Sequence, residues 1–290
     1  MGPRGRTVAS AAVAMLLIAA ACGTDGPPAQ ELSTTASMTP PTAVPASEYT
    51  FPAEWAGDYT FRWSSAGGID LMSPHADVVR AFAESKRLAM SVGNELAYPG
   101  YAAAISTVGW LDIPPGGSYP LGVDQGDWNL RWRGTFLARI MQLQPESGGF
   151  TAAYCLDYTN VADSIDGGAH YRWSRPGQRG EPRHGWLIGF TAQARDGSHT
   201  ERSATSAIPA VRHAARAPRH DVFDGWTITE VWGPKPRGIE NKALIDACTA
   251  WTRANPQTNP LDMDNAERRI PADPPPTPAP SFPGWPEPGN

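Results

Sequence analysis

The side chains best equipped for chemistry in this 290-residue chain are three cysteines and six histidines. Cys22, Cys155 and Cys248 could carry a lipid, pair as a disulfide or hold a metal. His213 and His220 stand among Arg212, Arg216 and Arg219 in a small basic cluster. Such a cluster could touch an acidic lipid or an envelope polymer, or it could be a solvated loop. Metal ligation by His199, His213 and His220 finds no support, because no acidic or Cys ligand joins them at helical spacing. Cys155 and Cys248 likewise have no neighbouring His or Cys at ligand spacing. A GxSxG elbow, a phosphate loop, a dinucleotide fingerprint and an HExxH helix are all missing. No motif names a reaction, a metal or a cofactor.

The amino terminus says more. Arg4 and Arg6 precede an apolar stretch from Val8 to Ala21, which ends in small residues. That is the order of a secretory signal segment: basic, hydrophobic, small. Too short to span a bilayer comfortably, the stretch is expected to be cleaved rather than retained. The run Ile18-Ala19-Ala20-Ala21-Cys22 resembles the lipobox of bacterial lipoproteins, with Ala19 where the family prefers Leu. The resemblance implies removal of residues 1–21, a diacylglyceryl thioether on Cys22 and acylation, as with palmitate, of the new amino terminus. The expected location is the outer face of the cell membrane. In an exported chain the two remaining cysteines, Cys155 and Cys248, most simply pair. Two separate buried thiols are the alternative.

Charge excludes one class of partner. The chain carries 24 basic and 29 acidic side chains, a net charge of −5, and loss of the signal segment removes Arg4 and Arg6 as well. Nucleic acid would require clustered Lys and Arg, so none is expected as a partner. With 29 Gly and 30 Pro, much of the chain must be loop or linker. Residues 22–50 read as a Pro/Thr/Ser-rich tether and residues 255–290 as a Pro-rich disordered tail. One domain is expected between them, over residues 51–254. Trp285 is the one feature of the tail that suggests contact with something.

The elements of that domain follow from pattern. Ser73-Pro74 is a helix start, and Val78, Val79, Phe82, Ala83, Leu88 and Ala89 form a helical stripe that ends at Gly93. Arg80, Glu84, Lys86 and Arg87 fill the remaining face, as solvated residues would. A short helix is expected over Tyr101–Thr107. Trp128–Leu143 and Phe150–Tyr158 read as an antiparallel strand pair across Gln144–Gly149. Further strands are expected at Gly185–Ala194 and Gly225–Gly233, a short helix at Ala210–Ala215 and a last helix at Asn241–Thr252. Helices followed by an antiparallel sheet make an α+β domain; a β-sandwich is the rival, since Gly, Trp and turn residues are plentiful.

The stretches VVRAFAESKRLAMSVG, YPGYAAAIS and FLARIMQLQPESGGFTAAYCLDYTNV, with Cys155-Leu156-Asp157 and then WTITEVW, are similar to actinobacterial lipoproteins with a nuclear transport factor 2-like (cystatin-like) domain. The resemblance covers roughly residues 73–250. It implies N-terminal helices packed on a curved sheet, the cone fold, around an apolar pocket. It also implies a bridge from Cys155 to Cys248. Enzymes of this shape place an Asp/His pair in the pocket, which nominates Asp157 as a base with His170 or His184. In the alternative, Asp157 caps a loop and both histidines sit in turns. Trp128, Trp132, Trp186 and Trp226 are the candidate pocket wall, with plain core packing as the alternative. The expected function is a non-catalytic ligand-binding or accessory module, taking a small apolar ligand or an envelope protein. The alternatives are an enzyme for a small hydrophobic substrate and a structural envelope partner. A homodimer is possible, since related cone folds dimerise through the sheet.

Overall fold

The computed structural model describes residues 49–108, 110–113, 117–120, 126–174, 185–195, 215–233, 241–256 and 270–286. The chain is α+β. Helices α1 (Ala53–Ala56), α2 (Pro74–Val92), α3 (Tyr101–Ala104) and α4 (Lys242–Ala254) accompany nine strands. Those strands are β1 (Tyr59–Ser65), β2 (Trp110–Ile113), β3 (Gly117–Pro120), β4 (Arg131–Glu146), β5 (Gly149–Asp157), β6 (Val161–Ser164), β7 (Arg172–Trp173), β8 (Trp186–Ala194) and β9 (Trp226–Trp232). They join in one sheet, ordered β3-β2-β9-β8-β5-β4-β6-β7, with β1 beside β4. The strands therefore do not divide into the two packed sheets of a sandwich. No described helix is long and apolar enough to cross a membrane.

Helix α2 begins where its sequence requires. The Ser73 hydroxyl accepts from the Ala76 amide at 3.3 Å, Pro74 takes the first turn, and Asp77 sits near the positive end of the dipole. Gly93 ends the helix with φ of +83°, a conformation that favours glycine. The apolar stripe meets the sheet through Phe82, whose ring centroid lies 4.5 Å from that of Phe190.

The central hairpin β4–β5 keeps its expected pairing, with Glu146 opposite Gly149. The strand runs further than expected, through Pro145, so Ser147 and Gly148 alone make the turn. Every residue of β5 except Thr151 is buried. Alternation would have left one face wet. Instead each face has a cover: Tyr154 belongs to the cluster under α2, whereas Ala153 and Cys155 pack with Leu244, Ile245 and Trp251 of α4. Cys155 and Cys248 form a disulfide, with Cα atoms 5.5 Å apart and a sequence separation of 93. It pins α4 to the middle of the sheet.

Residues 51–72 fill a place that the family resemblance left empty. They supply β1, which runs parallel to β4 from Tyr59 opposite Gly134 to Ser65 opposite Ile140. Because Leu137–Ile140 pair with β5 as well, β1 must lie on the opposite edge of β4. Its alternate residues Tyr59, Phe61 and Trp63 point into the core. Phe61 stacks on Phe136 with centroids 4.9 Å apart.

The carboxyl-terminal tail differs from the sequence expectation. Residues 270–286 lie against the body, joined by bridges at Arg172–Pro271, Arg62–Phe282 and Ala215–Trp285. Proline does not need regular hydrogen bonding to dock: its fixed φ lowers the entropy lost on ordering, and here one tryptophan supplies the apolar anchor. The expected helix at Ala210–Ala215 lies outside the described residues except for Ala215 itself, which bridges to Trp285.

Candidate functional site

The face of α2 that reads as solvated is in fact buried. Arg80, Glu84, Ser85, Arg87 and Ser91 are all buried, alongside the apolar stripe. A second layer covers them, built from Tyr49, Tyr59, Trp63, Tyr98 and Trp285.

Glu84 is the centre of this layer. Its Oε1 accepts from Trp63 Nε1 at 2.7 Å. Its Oε2 accepts from Tyr98 OH at 2.7 Å and from Trp285 Nε1 at 2.9 Å. Three donors thus meet one carboxylate from β1, from the loop after α2 and from the tail. Burial pushes the Glu84 carboxyl up, against the pull of Arg80 and of the three donors. Arg80 lies one turn earlier, only 1% exposed, with its guanidinium 4.2 Å from the Trp285 ring centroid. Its Nη2 donates to the Gly284 carbonyl at 3.4 Å and lies 3.8 Å from Asp77. Arg80 Nε and Nη1 are buried without a hydrogen-bond partner.

Arg87 occupies a second setting on the same helix. The Trp132, Phe136 and Tyr158 rings surround its guanidinium at 4.8, 5.3 and 4.8 Å. Its Nη2 donates to Tyr158 OH at 2.7 Å. This is a cation enclosed by aromatic faces, an arrangement that stabilises most when water is excluded. Half-buried Lys86, on the next position, is pulled down to about 7, first by burial and then by the Arg87 charge.

Asp157, the nominated base, closes β5. Its Oδ1 accepts from the Thr159 amide at 3.0 Å and from the Thr159 hydroxyl. Its Oδ2 accepts from Asn255 Nδ2 at 2.9 Å, which ties the end of β5 to the end of α4. His170 is exposed and faces a different acid, Asp166, with Nδ1 to Oδ2 at 2.8 Å. Ser164 and His170 hold the Asp166 carboxyl well below the usual carboxylate range. The structure therefore pairs Asp157 with a turn and a helix end, and pairs His170 with its own loop. His184 lies outside the described residues.

The four candidate pocket tryptophans are spread along the sheet. Trp186 begins β8, opposite Leu156, and Trp226 begins β9, opposite Ala194 at the far end of β8. Eight residues of extended strand separate those ends, about 26 Å, too far for one small pocket wall. Trp132 is core, beside Phe136 and Arg87. Trp226 packs on Phe150, at 5.0 Å, and on His75, at 5.5 Å. Trp128, half-buried, meets Trp55 edge-on at 5.4 Å.

The basic cluster is only partly described: Arg212 and His213 fall outside, as does His199 of the histidine trio. Arg216 is a structural clamp. It donates to the Tyr59 carbonyl, lies 2.6 Å from Asp58 Oδ1, and covers the Phe51 ring at 4.4 Å. Arg219 and His220 are exposed. Cys22 also falls outside the described residues. Among the described residues no group of three His, Cys, Asp or Glu is placed to hold a metal.

Sequence reasoning missed Arg80 and Glu84 as buried residues. The available signal was the tryptophan count, 11 in 290 residues, more than the predicted strands carry. No family model, curated protein or solved structure matches the chain.

Proposed function

We propose that this chain is an exported envelope protein, anchored by lipid at Cys22, whose α+β domain binds rather than catalyses. One observation carries the non-catalytic part of the reading. Among the described residues the two buried carboxylates, Glu84 and Asp157, have oxygens that accept from donors holding the fold. A general base needs an oxygen within reach of a substrate proton. The lipid anchor rests on the sequence of residues 18–22, and the exported location on residues 4–21. The disulfide accords with an oxidising compartment. The cone-type arrangement is favoured by α2 lying across an antiparallel hairpin, as in the proteins that the sequence resembles. The ligand class we propose is a small apolar molecule, in keeping with the eleven tryptophans of the sequence.

Native mass spectrometry of the full mature chain, produced with export, tests the reading. The expected spectrum shows a lipid mass that disappears in Cys22→Ser and a second, dissociable apolar mass. A bare polypeptide mass would overturn the ligand, leaving an envelope protein as the partner to be sought. A turnover abolished by Asp157→Asn would overturn the non-catalytic reading.

A further inference from the structure

Segment 270–286 is about half proline, yet its last residues bind the body as a peptide ligand binds a receptor. Phe282 donates to the Phe61 carbonyl at 3.0 Å and accepts from the Trp63 amide at 2.5 Å. These are the bonds of one more parallel strand residue on the free edge of β1. Thr60 Oγ1 donates to the Ala279 carbonyl at 2.6 Å, the Ala279 amide donates to Thr135 Oγ1 at 2.8 Å, and Arg62 Nη1 donates to the Pro280 carbonyl at 3.0 Å. Trp285 then enters the socket of Arg80, Glu84 and Tyr98 and is 2% exposed, whereas Phe282 stays 55% exposed. Backbone pairing on a sheet edge plus one aromatic side chain in a pocket is a mode of peptide recognition used between chains.

We propose that this docking site also accepts the same segment from a second copy, so that two copies exchange tails reciprocally. Every contact just described is reproduced when the segment arrives from the other copy, which makes exchange an inexpensive route to a dimer. Residues 255–269 separate the end of α4 from the segment, fifteen residues with a reach of at most about 50 Å. The docked state also leaves Arg80 Nε and Nη1 without partners. Release hydrates them, which offsets part of the cost of exposing Trp285. Docking within one chain is favoured at low concentration by the covalent link. Docking between chains grows as copies are crowded, and a membrane surface crowds them.

The test uses two single variants of the full mature chain, Arg62→Cys and Phe282→Cys, one carrying a mass tag. Arg62 and Phe282 are bridge partners with their side chains in contact. The two variants are mixed at rising concentration and oxidised mildly. The expected product is a mixed covalent pair of one chain of each kind, whose yield rises with concentration and falls at least tenfold when Trp285→Ala is added to the Phe282→Cys chain. The double variant Arg62→Cys/Phe282→Cys is the control for docking within one chain. If it closes on itself while the mixture yields no mixed pair at any concentration, exchange is overturned. If neither forms a bond, the segment does not dock and the proposal falls with it.

Discussion

Trp285 Nε1 donates to Glu84 Oε2 at 2.9 Å, joining residues 201 positions apart in the chain. The tail is thereby part of the core. Trp285→Ala removes a buried ring that covers Arg80 and one of three donors to a buried carboxylate. The expected loss is about 3 kcal/mol or more, up to the free energy that holds the tail docked. Trp285→Phe keeps most of the apolar area and loses only the N–H, so its loss is expected to be smaller, about 1–2 kcal/mol. Urea midpoints of the two variants check the order. Equal midpoints would mean that the apolar area of the ring contributes nothing, since both variants lack the bond to Glu84.

Gly185 lies against the disulfide. A Cβ placed there would lie 2.4 Å from Cys155 Sγ, 2.5 Å from Cys248 Sγ and 2.3 Å from Thr252 Oγ1. None of these atoms can withdraw without moving β5 or α4. Gly185→Ala is expected to lower stability by about 1–3 kcal/mol, as overpacking does elsewhere. The comparison should include Cys155→Ser/Cys248→Ser, for which a loss of about 2–5 kcal/mol is expected. In the double cysteine variant the smaller hydroxyls relieve the crowding, so the Gly185→Ala cost should shrink. Thermal melts of wild type, the two variants and their combination test that coupling.

Asp77 gives a pH dependence whose sign is fixed. Burial first, against the pull of Arg80, raises its carboxyl from 3.8 to about 6. The folded state therefore holds a proton more readily than the unfolded state. The stabilising contribution is complete below 3.8 and is lost as pH rises through about 6. The side chain is 35% exposed, so water screens the effect to about 1 kcal/mol. Chemical denaturation of wild type and Asp77→Asn between pH 4 and 8 should diverge over that window, with the variant the flatter. Parallel curves would remove Asp77 from the account.

Asp157→Ala should act on stability through two partners. It leaves the Thr159 amide and Asn255 Nδ2 without their acceptor, at a cost of about 1–3 kcal/mol. Asn255→Ala removes the tie at the end of α4 while the Thr159 bonds to Asp157 remain, and should cost less. Hydrogen exchange should locate the change at the end of α4. A loss confined elsewhere in the sheet would contradict this role.

Much of the frame was legible because its signals are local. Ser73-Pro74 and Gly93 mark the ends of α2, and the β4–β5 pair, β8, β9 and α4 fall within a few residues of their expected places. The disulfide was legible from cysteine number once export was inferred. The burial of Arg80, Glu84 and Arg87 was not, because helical periodicity counts any charged face as a wet one. What covers Arg80 and Glu84 comes from β1, from Tyr98 and from Trp285, and what encloses Arg87 from Trp132, Phe136 and Tyr158, so the cover is drawn from both sides of α2 in sequence and from as far as the tail. The tail was misread for the same reason. Composition measures how little a segment can bury on its own, and says nothing of a socket supplied by another part of the chain. The parallel placement of β1 also lacks a local sign, since the strand joins β4 about 75 residues downstream.

The distance in sequence between Glu84 and Trp285 also bears on how the protein is made. Glu84, Trp63 and Tyr98 emerge early, and their shared partner is synthesised about 200 residues later. Until then a carboxylate, a guanidinium and several aromatic rings stand uncovered along the free edge of β1. Such surfaces recruit wrong partners during synthesis and transit. Contacts this far apart also slow folding, since each must close a long loop before it stabilises anything. A chain that stops short of Trp285 is therefore expected to fold with Glu84 one donor short and Arg80 uncovered.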